Sequence, residues 1–357
     1  MEDGFKELIM QTSNCLLSTA NCSLQTVNSL LQILLSKTRS FVCMKEAFTK
    51  IIPHLSAELS NIGSAILING EKIPLSKEYF KLLTANCELH TKILFVDGGS
   101  GLILKSASSC LQFIRLYAVL YEKNKRTKQV FEEYLVAIVN KADVLEASVF
   151  DAKGNFKTKK VFGAFDPELT INERLEPERV CSLMLKLLEL NFAFRTAKEL
   201  NPNTLIRDGD LVPTCFLHEH ELKNLRSLFC IVLGLSKTSR LCTNTGVSVV
   251  TALQRVAPDG CWLYKTNTQT NFIKLHPKSK YVFRCDSYVD PEAAVSSLIP
   301  NSSDPVFLGY PYGLLDADKF AQVTKSELSQ LRVQFALHSK ELFSETDLNA
   351  HDILDVL

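Results

Sequence analysis

The sequence predicts an α/β fold: a mixed sheet flanked by helices, with a helical extension over residues 1–60 ahead of a main domain spanning 61–357. Three observations point there. Leu8, Ile9, Leu16, Leu17, Leu30, Leu31, Leu34 and Leu35 recur at helical spacing. From Ile93 to Asp151, short apolar or alternating runs follow one another as the strands of a meander. Beyond Glu176, helical stretches alternate with short buried strands. The composition agrees, since 357 residues with 46% hydrophobic and 22% charged content match globular averages and exclude a disordered chain, a collagen or a coiled-coil rod.

Taken in order, the first elements are helices that Pro53 ends. Residues 64–74 read as a hairpin turning at Asn69-Gly70. Ile93-Leu94-Phe95-Val96 is a buried strand running into a tight turn at Asp97-Gly98-Gly99-Ser100-Gly101. Gly101 to Ser106, Leu111 to Tyr121 and Val130 to Val139 are extended, and Lys123 to Lys128 forms a basic hairpin loop between the last two. Ala147 to Asp151 is a further strand, followed by Lys153, Lys157, Lys159 and Lys160. Glu176 to Leu200 is a long helix with Pro177 in its first turn. Leu205-Ile206 and Leu228 to Leu235 are buried strands, and Val306-Phe307-Leu308 is a last one. Helices over 314–323 and 325–338 precede an acidic tail, Glu341 to Leu357. No tandem repeat or low-complexity segment interrupts this order.

Charge and cysteine usage narrow the function classes. Lys plus Arg is 40 and Asp plus Glu is 39, so a nucleic-acid ligand requires a local basic patch. The longest apolar run is about eight residues, whereas a membrane span needs roughly 20. Met1-Glu2-Asp3 lacks the basic start of a signal peptide. The 11 cysteines form no CxxC pair and many sit in apolar runs, so a zinc ribbon is not expected and reduced core thiols in a cytoplasmic protein are.

Several residues carry chemistry. Asp97 stands where a buried strand gives way to glycines, a place where α/β sheets form ligand sites, and a carboxylate there suits Mg²⁺ or Mn²⁺. Asp-Gly is also an ordinary turn pair. Glu189 lies in a helix that is apolar almost all round, so its charge needs a cation or a partner such as Lys186. Asp208 repeats the strand-to-Asp-Gly pattern, with Asp210 two residues on. Lys237 follows the strand ending Leu233-Gly234-Leu235 and could steady negative charge. His218-Glu219-His220-Glu221 looks like a metal cluster but has no familiar catalytic spacing, and a solvated segment is the simpler reading. Lys274, His276, Lys278, Lys280 and Arg284 interleave with Phe272, Tyr281 and Phe283, as in a nucleic-acid-binding hairpin or an ordinary amphipathic one.

The order of these pieces resembles one family. Phe95-Val96-Asp97-Gly98-Gly99-Ser100, Leu188-Glu189, Ile206-Arg207-Asp208-Gly209-Asp210-Leu211, Gly234-Leu235-Ser236-Lys237-Thr238-Ser239 and Leu308-Gly309-Tyr310-Pro311-Tyr312-Gly313-Leu314 are similar, over roughly residues 90–340, to the NurA nucleases of archaea and some bacteria. The resemblance implies an RNase H-like core and Mn²⁺- or Mg²⁺-dependent cleavage of DNA. It also implies end processing for recombinational repair and a homodimer docked on a HerA-like hexameric ATPase. It places the metal-binding acids on Asp97, Glu189 and Asp208, the strand-end lysine on Lys237 and a late tyrosine on Tyr310. The family often has a histidine eight residues after that tyrosine; here the position is Asp318, an added candidate ligand. Lys125, Arg126, Lys278 and Lys280 are then the expected DNA-backbone contacts. Asp97 to Gly101 also resembles the phosphate loop of actin-like ATPases and sugar kinases, but the late glycine-rich cluster those carry is missing. A non-catalytic subunit that binds DNA or a translocase is the third reading.

Overall fold

The computed structural model describes residues 44–45, 47–52, 61–85, 92–171 and 173–339. The helices expected around Leu8 to Leu35, the helix end at Pro53 and the acidic tail lie outside the described residues. The chain divides into two compact units, Met1–Ile62 and Gly63–Leu357. In the first, residues 44–45 and 47–52 are helical and exposed.

The second unit opens with the expected hairpin, β1 (Ala65–Ile68) and β2 (Glu71–Pro74). Asn69 at φ 51° and Gly70 at φ 85° form its turn, a pair of left-handed residues that matches the twist of the flanking strands. Eleven strands of the described residues then build one sheet: β3 (Phe80–Leu83), β4 (Lys92–Lys105), β5 (Ser109–Glu122), β6 (Lys125–Asn140), β7 (Val144–Asp151), β8 (Phe156–Gly163), β9 (Thr204–Asp208), β10 (Ile231–Ser236), β11 (Cys261–Tyr264), β12 (Thr270–Lys274) and β13 (Phe283–Ser287). Their spatial order is β3-β11-β12-β13-β10-β9-β4-β5-β6-β7-β8. β4 to β8 form an antiparallel meander, β9 runs parallel to β4, β10 runs parallel to β9, and β13 returns antiparallel to β10. The mixed sheet flanked by helices that was expected of an RNase H-like core is therefore present.

Among the described residues, six α-helices accompany the sheet: α1 (Pro177–Leu200), α2 (Phe216–Arg226), α3 (Val249–Val256), α4 (Glu292–Leu298), α5 (Tyr312–Ala321) and α6 (Lys325–His338). Pro177 sits in the first turn of α1, where its missing N–H costs nothing, and left-handed Asn201 ends the helix. Strand alternation sorts the sheet into two faces. Leu94, Val96 and Leu205 pack with Leu187 and Leu190 of α1. Ile93, Phe95, Ile206, Leu233 and Leu235 pack with Leu314 and Ala317 of α5.

The structure corrects four readings. Asp97 to Gly101 is not a turn: β4 runs on to Lys105, because β5 offers hydrogen-bonding partners along its whole length. The glycines there admit a helix, since a Cβ on Gly99 would collide with the Ala321 carbonyl at the end of α5. The basic loop shrinks to Lys123 and Asn124, at φ 51° and 59°, and Lys125 to Lys128 lie in β6. Residues 156–163, read only as a lysine cluster, form the edge strand β8, where lysines discourage further pairing. Val306-Phe307-Leu308 is not a strand. Pro305 to Phe307 form a 3₁₀ turn started by Asp304, whose side chain accepts from Val306 N–H. Among the described residues, no helix is long and apolar enough to cross a membrane. The described cysteines are free thiols; Cys110, Cys181 and Cys285 are buried.

Candidate functional site

Register brings the predicted residues to one end of the parallel strands. Val96 pairs with Arg207, so Asp97 and Asp208 follow side by side on β4 and β9. Asp208 in turn pairs with Leu235 on β10, two residues before Lys237. Alternation then decides direction. Asp97, Asp208 and Lys237 continue the parity of Phe95, Ile206 and Leu235, toward α5. Helix α5 delivers Asp318 to the same place. One carboxylate oxygen from each of Asp97, Asp208 and Asp318 lies within 4.8 Å of the others.

Lys237 threads between two of these acids. Its Nζ is 2.7 Å from Asp208 Oδ2 and 3.1 Å from Asp318 Oδ1. Burial pulls the ammonium down, but the two carboxylates outweigh it and hold it above the usual lysine range. Nζ also lies 5.4 Å from the centre of the Tyr310 ring. Tyr310 is fully buried, stacked on Phe307 and packed against Phe283. Its hydroxyl has no hydrogen-bond partner of good geometry among the described residues. Burial and then the charges of Asp208, Asp97 and Asp318 push that phenol well above its ordinary range.

The Asp97 carboxyl is pushed up to about 8, first by burial, then by Glu189 and Asp208, against one stabilising hydrogen bond of 2.8 Å from Gly98 N–H. Three crowded oxygen acids, one driven to near-neutral titration, with a buried phenol beside them, make a donor set that suits a hard divalent cation. Asp97, Asp208 and Asp318 are the residues that could hold it.

Glu189 takes a different position. It lies on α1, on the opposite face from Asp97 and Asp208. Its partner is not Lys186 but Arg207, whose Nε and Nη2 donate to Glu189 Oε1 at 3.0 and 2.8 Å. Both side chains are 7% exposed. Burial holds the Glu189 carboxyl above its ordinary range, and Arg207 offsets this only in part. Its other oxygen sits beneath Gly98, 3.1 Å from where a Cβ would stand. Glu189 thus approaches the three acids through the gap that Gly98 leaves, without joining them.

The remaining predicted residues are dispersed. Arg126 is engaged by Asp316, a carboxylate only 3% exposed that also accepts from Tyr121 Oη at 3.0 Å, so its guanidinium has a partner within the chain. Lys125, Lys278 and Lys280 are exposed. Arg284 is spent on the fully buried Asp286, through bonds of 2.9 and 2.8 Å. The His218 to Glu221 stretch is the first half of α2 and not a metal cluster. His218 is buried, and its Nδ1 accepts from Thr214 N at 3.1 Å; burial, then Arg207, lower it to about 4. Glu219 pairs instead with Lys223 at 3.0 Å. Sequence reasoning missed Arg207 and Asp286. The signal for Arg207 was its place one residue before Asp208, which turns it to the face of α1.

Comparison with known proteins follows the same residues. Residues 91–243 match the NurA domain. The resemblance drawn from the sequence motifs is borne out over that span, which contains Asp97, Glu189, Asp208 and Lys237 and stops short of Tyr310 and Asp318. Among solved structures, the NurA nuclease from Sulfolobus solfataricus is similar at 14% identity and TM-score 0.48, over 88% of this chain and 98% of that one. Endonuclease V of Ciona intestinalis, in complex with inosine-containing DNA, is similar at 13% identity and TM-score 0.38, over 70% and 92% of the two chains. The catalytic domain of human endonuclease V gives 13% identity and TM-score 0.36 over 73% and 93%. No curated protein matches the sequence.

Proposed function

We propose that the chain is a divalent-metal-dependent DNA nuclease. The observation that carries this reading is the convergence of Asp97, Asp208 and Asp318 oxygens within 4.8 Å of one another, from β4, β9 and α5, beside Lys237. The NurA domain match supports it independently. A bound Mg²⁺ or Mn²⁺ supplies Lewis acidity and lowers the pKa of water for attack on a phosphodiester.

The chain's own residues do the rest. Asp97, Asp208 and Asp318 hold the cation. Their mutual repulsion, relieved on binding, makes the site a sensitive one. Lys237 presents an ammonium that can turn from the carboxylates toward the charge developing on phosphate oxygens. Tyr310 closes the floor of the site and keeps a hydroxyl facing it. Glu189 sits under Gly98 and, tied to Arg207, fixes α1 against β9. Exposed Lys125, Lys278 and Lys280 are contacts for the DNA backbone. The finer reading also covers DNA end processing by exonuclease and single-strand endonuclease action, a cytoplasmic homodimer and a HerA-like ATPase partner. It takes residues 1–60 as a helical extension to a nuclease domain over 61–357.

The test is cleavage of DNA with Mn²⁺, Mg²⁺ or EDTA, run beside ATP hydrolysis. Metal-dependent cleavage that Asp208→Asn abolishes supports the nuclease. ATP hydrolysis without cleavage would favour the actin-like alternative, and neither activity would favour a binding subunit.

A further inference from the structure

The segment after Asp208 leaves the sheet at once, yet it is held as firmly as a strand. Gly209, at φ 109°, turns the chain, and its N–H donates to Leu235 O at 2.9 Å. Arg207 Nη1 donates to Asp210 O. Leu211 N donates to Asp286 Oδ2 at 3.1 Å. Leu211 O accepts from both Gln269 Nε2, at 2.9 Å, and Tyr288 Oη, at 2.8 Å. Each of the residues 209 to 211 is therefore tied: Gly209 by the backbone of β10, Asp210 by Arg207 of β9, and Leu211 by side chains of β13 and two loops.

These ties are costly to build. Asp286 has no exposed surface and Gly234 is its neighbour across β10 and β13. Arg284 grips it with two bonds and is itself held to Thr270 Oγ1 at 3.2 Å. Buried ion pairs lose much of their attraction to desolvation, and apolar residues of like volume commonly pack as stably. An apolar pair could not accept the Leu211 N–H. The Tyr288 ring is likewise locked, with Arg226 3.8 Å from its centre.

We infer that Asp286, Gln269 and Tyr288 are positioning residues for Asp208: by clamping both polar groups of Leu211 they hold the Asp208 carboxylate where it meets Asp97 and Asp318. The inference rests on the metal-site reading above. Asp208 is the last residue of β9, and beyond it only one backbone bond to β10, from Gly209 N–H to Leu235 O, helps to set its direction. The clamp takes over where that backbone bonding stops. Groups that orient a ligand without touching the metal typically change metal affinity or activity by about 10–100-fold.

The test uses the full chain and Mn²⁺ alone as probe. Thermal melting is followed against Mn²⁺ for wild type, Asp208→Asn, Tyr288→Phe, the double variant Gln269→Leu with Tyr288→Phe, and Thr170→Val. Tyr288→Phe keeps the ring and its packing and removes only the hydroxyl. Thr170→Val removes a part-buried 3.0 Å bond to Glu173 O, which is no part of the clamp, and serves as the control for stability loss. Tyr288→Phe is expected to raise the half-saturating Mn²⁺ several-fold and the double variant about tenfold. Cleavage should lose kcat with KM for DNA unchanged, and Thr170→Val should move neither. A wild-type Mn²⁺ midpoint in the double variant, with the response lost in Asp208→Asn, overturns the clamp and leaves the site standing. A full Mn²⁺ response in Asp208→Asn overturns the site reading and the clamp with it.

Discussion

Replacing Asp97 by asparagine should make the metal-free protein more stable at alkaline pH. The carboxyl is pushed from its ordinary 3.8 up to about 8. A group raised in the folded state contributes stability that is fully present below its unfolded value and is lost as pH rises toward the folded one. For Asp97 that window runs from about pH 4 to about pH 8. Roughly four pH units at ~1.4 kcal/mol each set an upper bound of about 6 kcal/mol on the destabilisation above pH 8. Asparagine keeps the shape and the acceptor for Gly98 N–H and removes the charge. Urea unfolding in EDTA should therefore show wild type weakening from pH 4 to pH 8, and Asp97→Asn weakening much less. Added Mn²⁺ at about 100 times its Kd should restore about 2.7 kcal/mol to wild type, and little to the variant. Parallel pH profiles for the two proteins in EDTA would refute the crowded-carboxylate argument.

Other outcomes follow from single contacts. Lys237→Met should slow cleavage by about 10²–10³-fold, the usual cost of losing one donor to developing charge, and leave Mn²⁺-induced stabilisation in place. Arg126→Ala should cost about 1–3 kcal/mol in urea unfolding, because Asp316 is left buried and short of a partner, with no change in the salt dependence of DNA binding. Lys278→Ala with Lys280→Ala should instead flatten that salt slope by about one per lost phosphate contact, as a filter-binding titration would show. Gly99→Ala should destabilise by about 1–3 kcal/mol and reduce cleavage, since the new Cβ displaces the end of α5, which carries Asp318; an unchanged melting temperature would contradict this.

Much of the fold was legible because local patterns carry it. Asn69-Gly70 could only turn, Pro177 could only start a helix, and Leu205-Ile206-Arg207-Asp208 had no length for anything but a strand. Asp97, Asp208 and Lys237 were legible too, as polar residues at the ends of apolar runs. Their order along the chain, with that of the other quoted segments, carried the family resemblance, later borne out over residues 91–243.

What the chain order left open was distance between segments. Whether glycines after Asp97 bend the chain or extend a strand depends on a neighbour, and β5 decided it by pairing throughout. Whether Glu189 meets Asp97 or Arg207 depends on the face of the sheet that α1 covers, which no spacing within α1 encodes. Asp318 joins Asp97 and Asp208 only because α5 packs over Gly99 and Phe95. Asp286 reaches Leu211 across 75 positions of sequence. Local propensity acts over a few residues, whereas the electrostatics of this site act through a few ångströms of space. The sequence by itself determined the strand ends and their acids; only the tertiary packing decided which acids share a charge and which are neutralised elsewhere.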